Sequence, residues 1–156
     1  TFHDGSGNKS YGGVIRAGRF NLLSFKQAPI DYELCDTMNT NMTSIPKEVI
    51  SKIGFFKSYF VHGGADYEFG IRARNAGFKI RQFCEFVGVC KRNAEKDLIL
   101  SQNKFILPTI ISRKYFPPWV RLKYYLSHGG ILGIFFYWTP YLRAIKHDIA
   151  ILLALK

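Results

Sequence analysis

From Tyr124 to Leu142 the chain runs nineteen residues without a Lys, Arg, Asp or Glu, and no other feature restricts the fold as much. A stretch of that length has the reach of a membrane-spanning helix, which needs ~20 predominantly apolar residues. Its composition argues against a clean span, because Ser127, His128, three glycines and Pro140 interrupt it. Arg121 and Lys123 stand before it, and Arg143 and Lys146 after it. Such cationic flanks suit a helix lying in a membrane interface. The leading expectation is an interfacial or hydrophobically docked helix; a true span and ordinary core are the other readings.

Charge follows the same polarity. Residues 1–100 carry fourteen basic and ten acidic side chains, whereas 101–156 carry eight basic ones and Asp148 as the sole acid. The formal net charge of +11 calls for phosphates, an anionic membrane face or an acidic substrate as partner. Because the acid-poor end is also the apolar end, an anionic membrane surface is expected ahead of nucleic acid. With 156 residues, 47% of them hydrophobic, the chain has the material for one packed core and is not disordered. Cys35, Cys84 and Cys90 cannot all pair within the chain and fit no zinc spacing. Reduced thiols are expected, in a cytoplasmic protein peripheral to the inner face of the plasma membrane. The chain opens Thr1-Phe2-His3-Asp4 without an initiator Met, and is expected to be a piece of something longer.

The remaining segments read as alternating short elements. Asp4-Gly5-Ser6-Gly7-Asn8 and Tyr11-Gly12-Gly13 mark surface turns leading into a strand at 14–16. Residues 34–45 read as extended chain. Pro46 suits the first turn of a helix over about 46–53, with Gly54 as its stop. A second helix follows the Gly63-Gly64 break, with Asp66 at its cap or first turn and Gly77 just past its end. Phe78, Ile80 and Phe83, then Phe86 to Val89, predict two short strands. Residues 94–103 read as helical. The expected division is 1–105 as an α/β part and 106–156 as a helical, basic and aromatic tail.

The residues best suited to chemistry are His62-Gly63-Gly64-Ala65-Asp66-Tyr67-Glu68, followed by Arg72. Two carboxylates open a helix just after glycines that let a ligand come close. The helix dipole favours an ionised Asp66, and an ionised, partly buried carboxylate can take a proton from a substrate hydroxyl. Glu68 and Arg72 stand at i, i+4 and can pair. The plainer alternative is an ordinary capping Asp and an ordinary surface ion pair.

The run from Gly64 to Phe78 resembles a signature of the family 2 glycosyltransferases: an Asp, an acid two residues on, an Arg six residues on, and a Gly-aromatic ending. Cys35-Asp36-Thr37-Met38-Asn39-Thr40-Asn41 with Ile45-Pro46 resembles the stretch these enzymes place before that helix. Ser10 to Gly13, Val87 to Cys90, Ser127 to Gly130 and Pro140 to Leu142 are similar to a bacterial, rhamnosyltransferase-like subgroup. The resemblance implies a GT-A fold, a Rossmann-like α/β sandwich, of which this chain is the C-terminal, acceptor-side half. It implies Asp66 as catalytic base in inverting transfer from a nucleotide-sugar donor to a glycan or lipid-linked acceptor in surface polysaccharide assembly. Asp36, Asn39 and Asn41 would line the acceptor side, with Glu68 and Arg72 supporting the site and His62 as a further substrate contact. A divalent metal, Mg or Mn, would be held mainly by an N-terminal half carrying Asp-x-Asp, a motif that does not occur here.

Two readings from other classes stand beside this one. A basic nucleic-acid-binding module would need cations interleaved with exposed aromatics along one face. A catalytically inactive, membrane-peripheral scaffold would keep the fold and lose the chemistry.

Overall fold

A computed structural model describes residues 1–61, 63–91, 105–112 and 116–154. The chain is mixed α/β, with small antiparallel sheets and, among the described residues, five helices. It forms two compact units. The first comprises Thr1–Arg19, Ser24–Phe60 and Gly64–Arg92; the second comprises Phe20–Leu23, Val61–Gly63 and Asn93–Lys156. Two short pieces of the N-terminal part, 20–23 and 61–63, thus belong to the second unit. His62 and the helix expected at 94–103 lie outside the described residues.

In the first unit, β1 (Phe2–His3) pairs with β2 (Lys9–Tyr11) around the expected glycine turn. Strand β3 (Gly13–Arg16) is the centre of a three-stranded antiparallel sheet, between β4 (Phe25–Gln27) and β6 (Thr37–Met38). Strand β5 (Leu34–Cys35) pairs with β7 (Ile80–Arg81). The strand expected over 86–89 is reduced to one parallel bridge between His3 and Val89. Its backbone is still occupied: Val87 N–H donates to Thr1 O, and Cys90 N–H to His3 O. Gly88 sits against the Phe2 ring, so the segment runs along β1 without the side-chain pairs that would extend a ladder.

Helix α1 (Lys47–Ile53) begins after Pro46 and ends at Gly54, whose N–H donates to Ile50 O. Helix α2 (Ala65–Asn75) is capped by Gly64 at φ 86°, a left-handed conformation that costs glycine little. Its inner side carries Phe69 and Ala73, which join Met38 and Val49 in the core; Ile45, Ile53, Phe56, Phe78 and Ile80 pack around them. The helix sits very close to β6. A Cβ at Gly70 would lie 2.3 Å from Thr37 Oγ1 and 3.1 Å from Thr37 Cα. Thr37 is wholly buried, and its hydroxyl donates to Tyr67 O at 2.9 Å, fixing the helix along the strand.

The second unit is helical: α3 (Leu107–Ile111), α4 (Pro118–His128) and α5 (Gly133–Ala154). The uncharged run is therefore not one helix. It breaks after His128, where Gly129 N–H closes on Tyr125 O and Gly133 N–H on Gly130 O, turning the chain into a helical hairpin. Val120 and Tyr124 of α4 and Tyr137, Tyr141 and Ala144 of α5 are buried. Arg121, expected as a membrane anchor, instead stacks over Phe116 at 5.1 Å and Tyr141 at 5.4 Å. Burial pushes the Tyr141 hydroxyl up to about 12, against the pull of Arg121. Pro140 removes one helical N–H donor, and Thr139 Oγ1 donates to Phe136 O, the carbonyl that donor would have served. Asp148 accepts the N–H groups of Ile106 and Leu107 at 2.8 and 2.9 Å and so caps α3 from another helix. Burial acts to raise its pKa, but these donors and His147 together hold it below the usual carboxylate value. No described helix is long and apolar enough to cross a membrane.

The approach of α2 to β6 yields a first prediction. Alanine at Gly70 gains roughly 1 kcal/mol in helix propensity, yet overpacking against a backbone atom costs ~1–3 kcal/mol. Gly70→Ala should lower the urea midpoint of unfolding; an unchanged or higher midpoint would show that α2 can move off the strand.

Candidate functional site

The N-terminal end of α2 and the loop after β6 bring together three of the expected residues. Asp66 is the second residue of α2 and is half-buried. Its Oδ1 accepts the Tyr67 N–H at 2.9 Å, and the Asn39 amide and the Thr40 backbone lie close enough to help lower its pKa. Burial nevertheless outweighs these donors and raises the Asp66 pKa above the usual carboxylate value. The dipole was expected to favour ionisation. Instead, desolvation dominates, because the carboxylate is drawn into the crease between helix and loop.

Asn39 touches Asp66 and also lines a cleft of about 410 Å³. Asn41 lines it too, together with Tyr11 of β2 and Gln82, the residue after β7. The Thr43 hydroxyl donates to Asn39 O at 3.1 Å, which holds the loop in a tight turn. The Asn41 amide lies 3.5 Å from Cys90 Sγ. All three cysteines are unpaired. Asn39 and Asn41 thus line an open cleft, and Asn39 also stands beside the half-buried Asp66 carboxylate.

The other expected residues have different places. Asp36 accepts the Arg16 N–H through Oδ2 and pairs with Arg74 through Oδ1, both at 2.8 Å. It ties β3 to α2 and does not line the cleft. Glu68 is 2% exposed and accepts Arg72 Nε on both oxygens, at 2.8 and 2.9 Å. The rest of the Arg72 guanidinium donates to Ile53 O and Phe55 O, and it lies over the Phe69 ring at 5.2 Å. The pair is therefore a clamp from α2 onto the end of α1. An i, i+4 spacing reveals the pair but not the two carbonyls that Arg72 also serves.

Gln82 is the residue that sequence reasoning misses. It is buried, its Oε1 accepts Lys9 Nζ at 2.7 Å and Gly13 N–H at 3.0 Å, and its amide donates to Pro29 O and Ile30 O. That network fixes the floor of the cleft, and an isolated glutamine between β-type residues carries no spacing signal that would expose it. Among the described residues, no three His, Cys, Asp or Glu side chains gather where they could hold a metal ion. No family model matches the sequence, and no curated protein or solved structure matches it.

Two predictions follow from these contacts. Removing one member of a buried ion pair costs ~3–5 kcal/mol, since the other charge is stranded. Arg72→Ala should therefore unfold at much lower urea than the parent, whereas exposed Arg→Ala changes shift it little. Asp66 behaves in the opposite sense. Its folded pKa lies above its unfolded one, so the folded chain binds the proton more tightly and stability falls as pH rises between the two. Asp66→Asn should be more stable than the parent at pH 7, and that advantage should vanish below ~4, where the unfolded carboxyl is also protonated. A variant less stable at every pH would mean that the carboxylate is a structural cap.

Proposed function

We propose that this chain is the acceptor-side half of an inverting, nucleotide-sugar-dependent glycosyltransferase of surface polysaccharide assembly, part of a GT-A fold, working beside an anionic membrane. The observation that supports this most is the half-buried Asp66, with its pKa raised and Asn39, which also lines the neighbouring cleft, beside its carboxylate. A carboxylate whose pKa is brought closer to neutrality is a stronger acceptor for a hydroxyl proton.

In the proposed reaction the acceptor hydroxyl lies in the cleft against Asn39 and Asn41. Asp66 takes its proton as the hydroxyl oxygen bonds to the anomeric carbon, and the bond from that carbon to the nucleotide diphosphate breaks. Asn39 holds the Asp66 carboxylate toward the cleft. Asp36, Glu68 and Arg72 keep α2 in place, so their contribution is to position the base. The nucleotide, and the divalent metal that the family resemblance implies, belong in this reading to residues outside those described.

The intact enzyme supplies the test, using a panel of labelled nucleotide-sugars with membrane lipid extract as acceptor. Asp66→Asn should lower the transfer rate by ~10²–10⁴ while nucleotide binding is largely kept. The 156 residues by themselves should transfer nothing. Near-normal turnover by the Asn variant would sink the assignment of Asp66, and transfer by the isolated chain would sink the half-enzyme reading.

A further inference from the structure

Helix α5 is apolar on two sides, and only one of them is used inside the second unit. Tyr137, Tyr141 and Ala144 face inward and are buried. Phe135, Trp138, Leu142, Ile145, Ile149 and Leu152 recur at intervals of three and four, which places them on a second face. Every one of these six is between 41% and 67% exposed. At ~1.5 Å per residue the stripe is about 25 Å long. Ile131, in the turn that leads into the helix, is 97% exposed. Large contiguous apolar surfaces of this kind mark an interaction site.

Charge decides what covers it. Arg143 and Lys146 are exposed on the same helix, on the side away from the buried tyrosines. The one acid of α5, Asp148, is occupied by the N–H groups of Ile106 and Leu107. A second copy of the chain would therefore bring the same cations to the stripe with no acid on α5 to meet them, and like charges brought together cost affinity. An anionic lipid surface supplies both needs, an apolar interior for the stripe and phosphates for the cations. Arg143, Lys146, His147 and Asp148 sit mid-helix, which excludes a comfortable transverse placement, and the 22-residue helix is not apolar enough for a span.

We propose that α5 lies in the plane of an anionic bilayer, with the Phe135–Leu152 stripe immersed to the boundary between headgroups and acyl chains. Arg143 and Lys146 reach the headgroup phosphates, and Trp138 sits at the boundary as interfacial tryptophans do. This deepens the membrane placement in the proposed function and rests on it, but on none of the transfer chemistry.

The experiment is co-sedimentation of the intact chain with vesicles of phosphatidylcholine alone or with 30% phosphatidylglycerol, on parent and variants checked for helicity by circular dichroism. The parent should pellet with the anionic vesicles and far less with the neutral ones. Arg143→Gln with Lys146→Gln should weaken binding about 30-fold, from the ~1 kcal/mol each cation contributes near an anionic surface. Leu142→Gln with Ile149→Gln should weaken it at least tenfold on the apolar side. Of the two tryptophans, Trp119→Phe leaves Trp138 as the reporter, whose emission should shift to the blue on anionic vesicles. Sedimentation with no shift and no effect of the α5 variants would overturn the α5 surface and leave the membrane placement standing. Failure to pellet with either vesicle would overturn both. A dimer that the stripe variants convert to monomer would assign the face to a second copy. Salt-sensitive capture of single-stranded DNA without vesicle binding would assign the chain to nucleic acid. Each of these last two results overturns the proposal.

Discussion

Thr37 has no exposed surface, and it occupies the space that any side chain at Gly70 would need. Its hydroxyl donates to Tyr67 O, one residue beyond Asp66. Together these two contacts set how α2 lies on β6. The position of the Asp66 carboxylate, its approach to Asn39 and the clamp from Arg72 onto α1 all depend on that seating. A tight helix–strand contact of this kind defines position because close-packed interiors leave no room for a small slide. The carboxylate can therefore be held in a partly desolvated crease that its own hydration would otherwise oppose.

The cost falls on a single group. Burial raises the Asp66 pKa even though the Tyr67 N–H donates to it and Asn39 and Thr40 act to lower it. The neighbouring acid has the opposite arrangement: Glu68 is buried more deeply but carries its own cation, Arg72, at 2.8 Å. Two carboxylates on one turn of one helix thus have different work. Glu68 is neutralised and structural. Asp66 has no cation against it among the described contacts, which makes it the better suited of the two to the proposed role. Pairs of acids whose environments diverge in this way are how folds separate an acid–base role from a scaffolding one.

How much of this was legible in the sequence depended on whether the signal was local. Helix α1 ends at Gly54 and α2 begins at Gly64 because glycine and proline act on their own neighbours, and those boundaries fall where the residues predict. The Glu68–Arg72 pair was legible for the same reason. Long-range relations were hidden. Nothing in the sequence joins Asp36 to Arg74, Gln82 to Lys9, or Gly70 to Thr37, and each of these is set by which elements pack together. The strand expected at 86–89 failed because β propensity does not create a partner, and β1 offers only Phe2 and His3. The uncharged run misled in another way. Its length suggested one element, while Gly129 and Gly130 divided it into a hairpin whose second helix carries a spare apolar face. Arg121, which the sequence offers as a flanking anchor, stacks over Phe116 and Tyr141 instead.

The central claim is that Asp66 is a base whose environment is tuned for proton transfer. The direct measurement is the pH dependence of the transfer rate of the intact enzyme, parent against Asp66→Asn. The account predicts an acid limb in the parent that bends at a pH above the ordinary carboxylate value of ~3.9, reflecting the raised pKa, and its disappearance in the variant. An acid limb that persists unchanged when Asp66 is replaced by asparagine would contradict it.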